Sequence, residues 1–253
     1  MTEKTAGKHR KVLVGVVAGT CAAVLAGLVI TGMRVGWGPF AGLRDYGPDI
    51  DKICARYDAN ARKHEFVFYG MSNFTLWTQL DDDFPEYKVQ NHGFGGSTDK
   101  LLVQYADKAL YPYEPDVVVF QTGSNDYVEM DGTDDEKLQK CMDYKRQMFA
   151  EFHEKLPDAC FVVMSGLLLP GRAQYTELTQ RVNRELAALC AEHPDYMLFV
   201  DAEELTYDGK SYRTDYFRRD GIHLNHDGEL AWRDGYILPA LDAVTPQEAR
   251  RDA

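Results

Sequence analysis

Four short blocks of this sequence hold side chains of complementary chemistry. They are Gly70-Met71-Ser72-Asn73, Asn91-His92-Gly93-Phe94-Gly95-Gly96, Gly123-Ser124-Asn125-Asp126 and Asp220-Gly221-Ile222-His223. Together they offer a hydroxyl, a backbone amide in a glycine turn, a side-chain amide, and a carboxylate three residues from an imidazole. An acyl-transfer site needs those parts: a nucleophile, oxyanion donors, a general base and a group that orients the base. Singly, each has a plainer reading. Ser72 suits a helix N-cap, Asn125 a turn, and the glycines a tight βα connection. Asp220-x-x-His223 is more specific, because a turn can bring the carboxylate to one ring nitrogen while the other faces Ser72. His64, His92, His153, His193 and His226 take the ordinary structural or surface reading.

Several other chemistries are excluded by spacing. A dinucleotide loop needs Gly at 98, where Thr98 stands. No Walker A motif is present, and Gly70-Met71-Ser72-Asn73-Phe74 lacks the second glycine of the G-x-S-x-G elbow. No H-E-x-x-H occurs, and His223, His226 and Asp227 have no third partner segment, so neither a metal nor another cofactor is expected.

The elements that must position these blocks alternate. Apolar runs at 66–69, 87–91, 117–121, 161–165 and 197–201 read as strands. Helix-like stretches fill 98–110, 135–155 and 176–192, the second capped by Thr133 or Asp134 and ended by Pro157. Ile50, Ile53, Cys54, Tyr57 and Ala61 recur at helical spacing ahead of the first strand. Such alternation predicts an α/β fold, a three-layer α/β/α sandwich on a five-stranded, mostly parallel sheet. Ser72, Gly96 and Asn125 each follow a strand. In open α/β sheets, sites form beyond the carboxyl ends of strands, so three separate blocks converge on one edge.

The four blocks, in this order, resemble those of the SGNH hydrolases, or GDSL-type esterase-lipases. Most of residues 62–240 carries the likeness. Leu76-Trp77, Asp83-Phe84-Pro85 and Gly166–Arg172 further resemble bacterial acylhydrolases and the platelet-activating-factor acetylhydrolase branch. The resemblance implies a serine esterase with Ser72 as nucleophile, His223 as base and Asp220 orienting it. It also implies oxyanion donors from the Ser72 and Gly96 amides and the Asn125 side chain. Met71 departs from the family's Gly-Asp-Ser, although that Asp is not one of the four named residues. A glycan O-acyltransferase, a lysophospholipase or thioesterase, and an inactive binding module of the same fold are the alternatives.

The N-terminus adds a second feature. Residues 1–11 are basic, through Lys4, Lys8, Arg10 and Lys11, and Val12–Met33 contains no charged residue. A bilayer-spanning helix takes about 20 apolar residues, and the basic flank places the N-terminus inside. Ile30-Thr31-Gly32-Met33 is a poor cleavage site, and Thr20 fits poorly before a lipidated Cys21. The expected organisation is therefore a cytoplasmic tail (1–11), an uncleaved anchor (12–33), a linker and helix (34–61) and an extracytoplasmic SGNH domain (62–253), with processed forms as the alternative. The chain carries −12, and residues 1–33 contribute +3, which leaves −15 on the rest. That balance disfavours nucleic acid as a partner and suits a small-molecule or glycan ester, although solubility alone explains it. Cys54, Cys141, Cys160 and Cys190 show no metal spacing and read as buried thiols rather than disulfides.

Overall fold

Val, Phe and Tyr dominate three of the short runs, and residues of this type fit a pleated surface buried on both sides. In the computed structural model, which describes residues 44–128 and 130–245, these runs form strands. The strands are β1 (Phe66–Gly70), β2 (Val89–Asn91), β3 (Val117–Gln121), β4 (Cys160–Met164) and β5 (Met197–Val200). They form one sheet in the order β2-β1-β3-β4-β5, and every pair is parallel. β2, expected from residue 87, begins at Val89.

Alternate residues face opposite layers, as a strand's period of two requires. Phe68, Val119, Val162 and Met164 join one apolar cluster. Covering that face are α2 (Ser72–Leu76), α3 (Leu80–Asp83), α8 (Glu203–Thr206), α9 (His226–Trp232) and α10 (Leu238–Val244). The opposite face meets α4 (Asp99–Ala109), α6 (Asp134–Lys155) and α7 (Thr176–Glu192). There Phe120 packs edge-on against Phe149 at 5.1 Å between centroids, and Phe149 against Phe161 at 6.0 Å. Two short helices complete the order: α1 (Gly47–Arg56), before the sheet, and α5 (Asn125–Val128), after β3.

Helix starts follow local chemistry. Thr133, not Asp134, caps α6, and Glu136 closes a reciprocal capping box with it. Thr98 caps α4 by accepting from the Leu101 amide. Between α9 and α10, Arg233–Ile237 forms a π-turn that resets the helical phase. Trp232 before it, Ile237 at its end and Leu241 after it are all fully buried.

The chain divides between Asp49 and Ile50 into two units. The expected anchor at 12–33, the basic tail and Cys21 lie outside the described residues. Among the described residues no helix is long and apolar enough to cross a membrane. Cys54, Cys141, Cys160 and Cys190 are free thiols, with Cys141 and Cys190 buried.

Candidate active site

β1 and β3 are neighbours in the sheet, and the chain leaves them in opposite directions across it. A crevice opens at such a switch point, beyond the strands' carboxyl ends. Ser72 is the first residue of α2, directly after β1. At that position its amide has no intrahelical partner. Asn125 opens α5, after β3. Gly96 lies between β2 and α4 at φ +85°, a left-handed conformation that glycine adopts without strain. Gly96 is exposed, while Ser72 and Asn125 are half-buried, so all three can meet a ligand from solvent.

Ser72, His223 and Asp220 form one hydrogen-bonded chain. His223 Nε2 lies 2.9 Å from Ser72 Oγ, and His223 Nδ1 lies 2.8 Å from Asp220 Oδ2. The Asp220–His223 spacing is held by the turn itself: Asp220 Oδ1 accepts from the amides of Ile222 at 2.8 Å and His223 at 3.0 Å. Burial works against the Asp220 charge, but the bonds from the His223 ring and these two amides outweigh it. The carboxyl is held down at about 2.

Asn125 is held by its neighbours. Asn125 Nδ2 donates to the Ser97 carbonyl at 3.1 Å, which ties Asn125 to the residue after Gly96. Arg172 Nη1 donates to Asn125 Oδ1 at 2.9 Å and to Ser124 Oγ at 2.5 Å. Hydrogen bonds thus join Ser72, His223 and Asp220, and Asn125 is tied to the Gly96 loop through Ser97. Arg172 was visible only as part of a family-like segment, with no role.

Two further supports carried no sequence signal. Asn73 is buried, and its Oδ1 accepts from the Leu224 amide at 3.2 Å, joining the Ser72 helix to the His223 turn across 151 positions. Arg218 donates to the carbonyls of Leu76 at 3.0 Å and Leu224 at 2.8 Å. Asn91 has a structural function. Its Nδ2 donates to the Phe74 carbonyl at 2.7 Å and its Oδ1 accepts from the Gly93 amide at 3.1 Å, closing the end of α2. A Cβ on Gly93 would lie 2.6 Å from that of Phe74, so the loop admits no side chain there.

Met71 is buried at the N-cap of α2 and makes no side-chain cap bond. Its carbonyl accepts from Phe74 at 3.1 Å and Thr75 at 3.3 Å, so backbone bonds hold the turn at Ser72. His92 is fully buried, bonded to the Ala109 carbonyl at 2.6 Å. Burial lowers it to about 4, which keeps it neutral and structural. Among the described residues no group of three or more His, Cys, Asp or Glu side chains could hold a metal ion.

Comparison with solved structures finds this fold repeatedly. A Streptococcus pneumoniae protein with a provisional platelet-activating-factor designation aligns at TM-score 0.65 and 16% identity, covering 90% of this chain and 99% of that one. A GDSL-like lipase from Bacteroides thetaiotaomicron aligns at 0.57 and 19%, covering 79% and 98%. A catalytic mutant of an acetylxylan esterase from Geobacillus stearothermophilus aligns at 0.53 and 17%, covering 72% and 94%. At these identities the likeness is one of fold. No curated protein sequence matches the chain. The sequence profile described as the GDSL-like Lipase/Acylhydrolase family matches residues 69–231, which is more than half of the chain. The chain therefore belongs to the GDSL-like lipase/acylhydrolase family and is an ester hydrolase.

Proposed function

We propose that this protein is a membrane-anchored, extracytoplasmic serine esterase that removes short acyl groups, such as O-acetyl, from small-molecule or glycan esters. The observation that carries the reading is the Asp220–His223–Ser72 chain at 2.8 and 2.9 Å, beside Gly96 and Asn125. Ser72 Oγ attacks the acyl carbonyl while His223 Nε2 takes its proton. Asp220 stays ionised, keeps the Nδ1 proton on its own side and stabilises the imidazolium. The amides of Ser72 and Gly96 and the Asn125 side chain receive the oxyanion. His223 then protonates the departing alcohol, and water, activated by the same imidazole, releases the acyl group.

The short-acyl part rests on separate support. One structural neighbour is an acetylxylan esterase. The sequence between the blocks shows no long apolar segment to line a lipid tunnel. The acidic run Asp81–Asp83 adds less than its charge suggests. Asp81 accepts from Tyr57 at 2.9 Å and Asp83 from the Trp77 indole at 2.6 Å, so both hold the fold. The anchor reading rests on the uncharged Val12–Met33 run behind a basic tail.

The test is kcat/KM for aryl acetate, butyrate, octanoate and palmitate on the full-length chain in detergent. The expected result is a maximum at acetate or butyrate. Each buried CH₂ is worth about 0.8 kcal/mol. A steady rise towards octanoate or palmitate would therefore replace this reading with a lysophospholipase or thioesterase.

A further inference from the structure

Behind the oxyanion donors lies a group of buried charges that the mechanism above leaves unused. Asp99, three residues after Gly96, is the first residue of α4, and Asp126 follows Asn125 in α5. Lys145, from the middle of α6, is 2% exposed and reaches Asp99. Its Nζ donates to Asp99 Oδ2 at 2.8 Å and to Thr122 Oγ1, at the end of β3, at 2.6 Å. The Asp99 amide donates to Asp126 Oδ1 at 2.8 Å, which joins the Gly96 loop directly to the Asn125 loop.

A buried lysine on the far side of a site is expensive unless something requires it. Here the ammonium bonds Asp99 and also feels the Asp126 carboxyl, and Asp99 Oδ1 and Asp126 Oδ2 have no protein hydrogen-bond partner. Burial first, then the neighbouring Asp99 charge, raises Asp126 to about 8. Burial pulls Lys145 down, but both carboxylates more than reverse it and the net direction is up. At neutral pH Asp126 thus favours its protonated form. Arg172, bonded to Ser124 and Asn125, brings a positive charge beside Asp126 from the other side, and burial raises the Cys190 thiol, which faces Lys145, to about 12. Burial raises the Cys141 thiol, one turn before Lys145, to about 12, and the buried Tyr127 hydroxyl is also raised.

We propose that Lys145, with Asp99 and Asp126, is a positioning cluster that locks the Gly96 and Asn125 loops into a single oxyanion wall. This assignment rests on the esterase reading above. The three residues touch no substrate; they act through the backbone that aims the donors. A structural ion pair alone would set stability. A positioning cluster also sets kcat, because oxyanion donors act more in the transition state than in the ground state. Ionising Asp126 would add a negative charge behind the oxyanion, so turnover should decline as pH rises past about 8.

The experiment compares the wild-type chain with Lys145→Met/Asp99→Asn, which removes both charges of the ion pair together, and with Asp126→Asn, which keeps the shape of a protonated carboxyl. Aryl acetate turnover is followed from pH 6 to pH 10, with circular dichroism confirming the fold. The double variant is expected to lose about tenfold or more in kcat with KM within about twofold of wild type. Asp126→Asn is expected to raise the ratio of kcat at pH 9 to kcat at pH 7 severalfold over wild type. If the double variant does not fold, the Asp126→Asn profile decides. A folded double variant with unchanged kcat, or an alkaline decline in Asp126→Asn equal to that of wild type, would overturn the assignment while leaving the esterase reading intact. Absence of any turnover by the wild-type chain would sink that reading, and the cluster's role with it.

Discussion

Asn125 can serve an oxyanion only if its amide nitrogen, rather than its oxygen, faces the substrate. Arg172 decides that orientation, because a guanidinium can only donate and it donates to Oδ1. Asn125→Ala should therefore lower kcat by about 10²-fold or more, the usual cost of one lost oxyanion donor. Arg172→Met should lower kcat by a smaller factor with the fold intact, read from steady-state kinetics beside thermal melts. Asp220 gives a pH test with a definite sign. Its carboxyl is depressed to about 2, so folding favours the ionised form. That contribution is complete above the ordinary carboxylate value near pH 4 and disappears as pH falls towards 2. The stability difference between wild type and Asp220→Asn, measured by urea unfolding, should not fall between pH 7 and about pH 4. It should shrink only below that.

At the scale of elements, the Ser72 helix and the His223 turn must be clamped together, since they lie 151 positions apart in sequence. Trp232 of α9 supplies much of that clamp. It is fully buried and stacks on Phe74 of α2 at 5.5 Å and on Trp77 at 6.3 Å. Trp232→Ala should cost about 3–5 kcal/mol of stability, measured by chemical denaturation. It should also lower kcat in the fraction that remains folded. The sequence made β1, β3 and β4 legible because runs such as Val117-Val118-Val119-Phe120 have no other good interpretation. α4, α6 and α7 were legible because they are long enough to show a helical period. α2 was not, since five residues hold too little periodicity. α9 and α10 were missed for a related reason: the π-turn at Arg233–Ile237 shifts the phase between Trp232 and Leu241, so no single helical stripe runs through both. The site residues could be read from their blocks, but their supports could not. Asn73, Arg172 and Lys145 act through contacts with residues distant in sequence, and a linear pattern does not record those.

The whole molecule places its chemistry at the β1/β3 switch point of a 2-1-3-4-5 sheet, where loops after three strands and the C-terminal turn converge. The anchored, outward-facing arrangement is tested by adding protease to intact protoplasts or spheroplasts. The expected result is digestion of residues 34–253, and protection until lysis would reverse the topology. The claim on which everything else depends is that Ser72 is the acyl-accepting nucleophile. The most direct measurement is aryl acetate turnover by Ser72→Ala against wild type, on protein shown to be folded. The expected result is a loss on the order of 10⁴-fold or more. Hydrolysis by Ser72→Ala at near wild-type rate would contradict it.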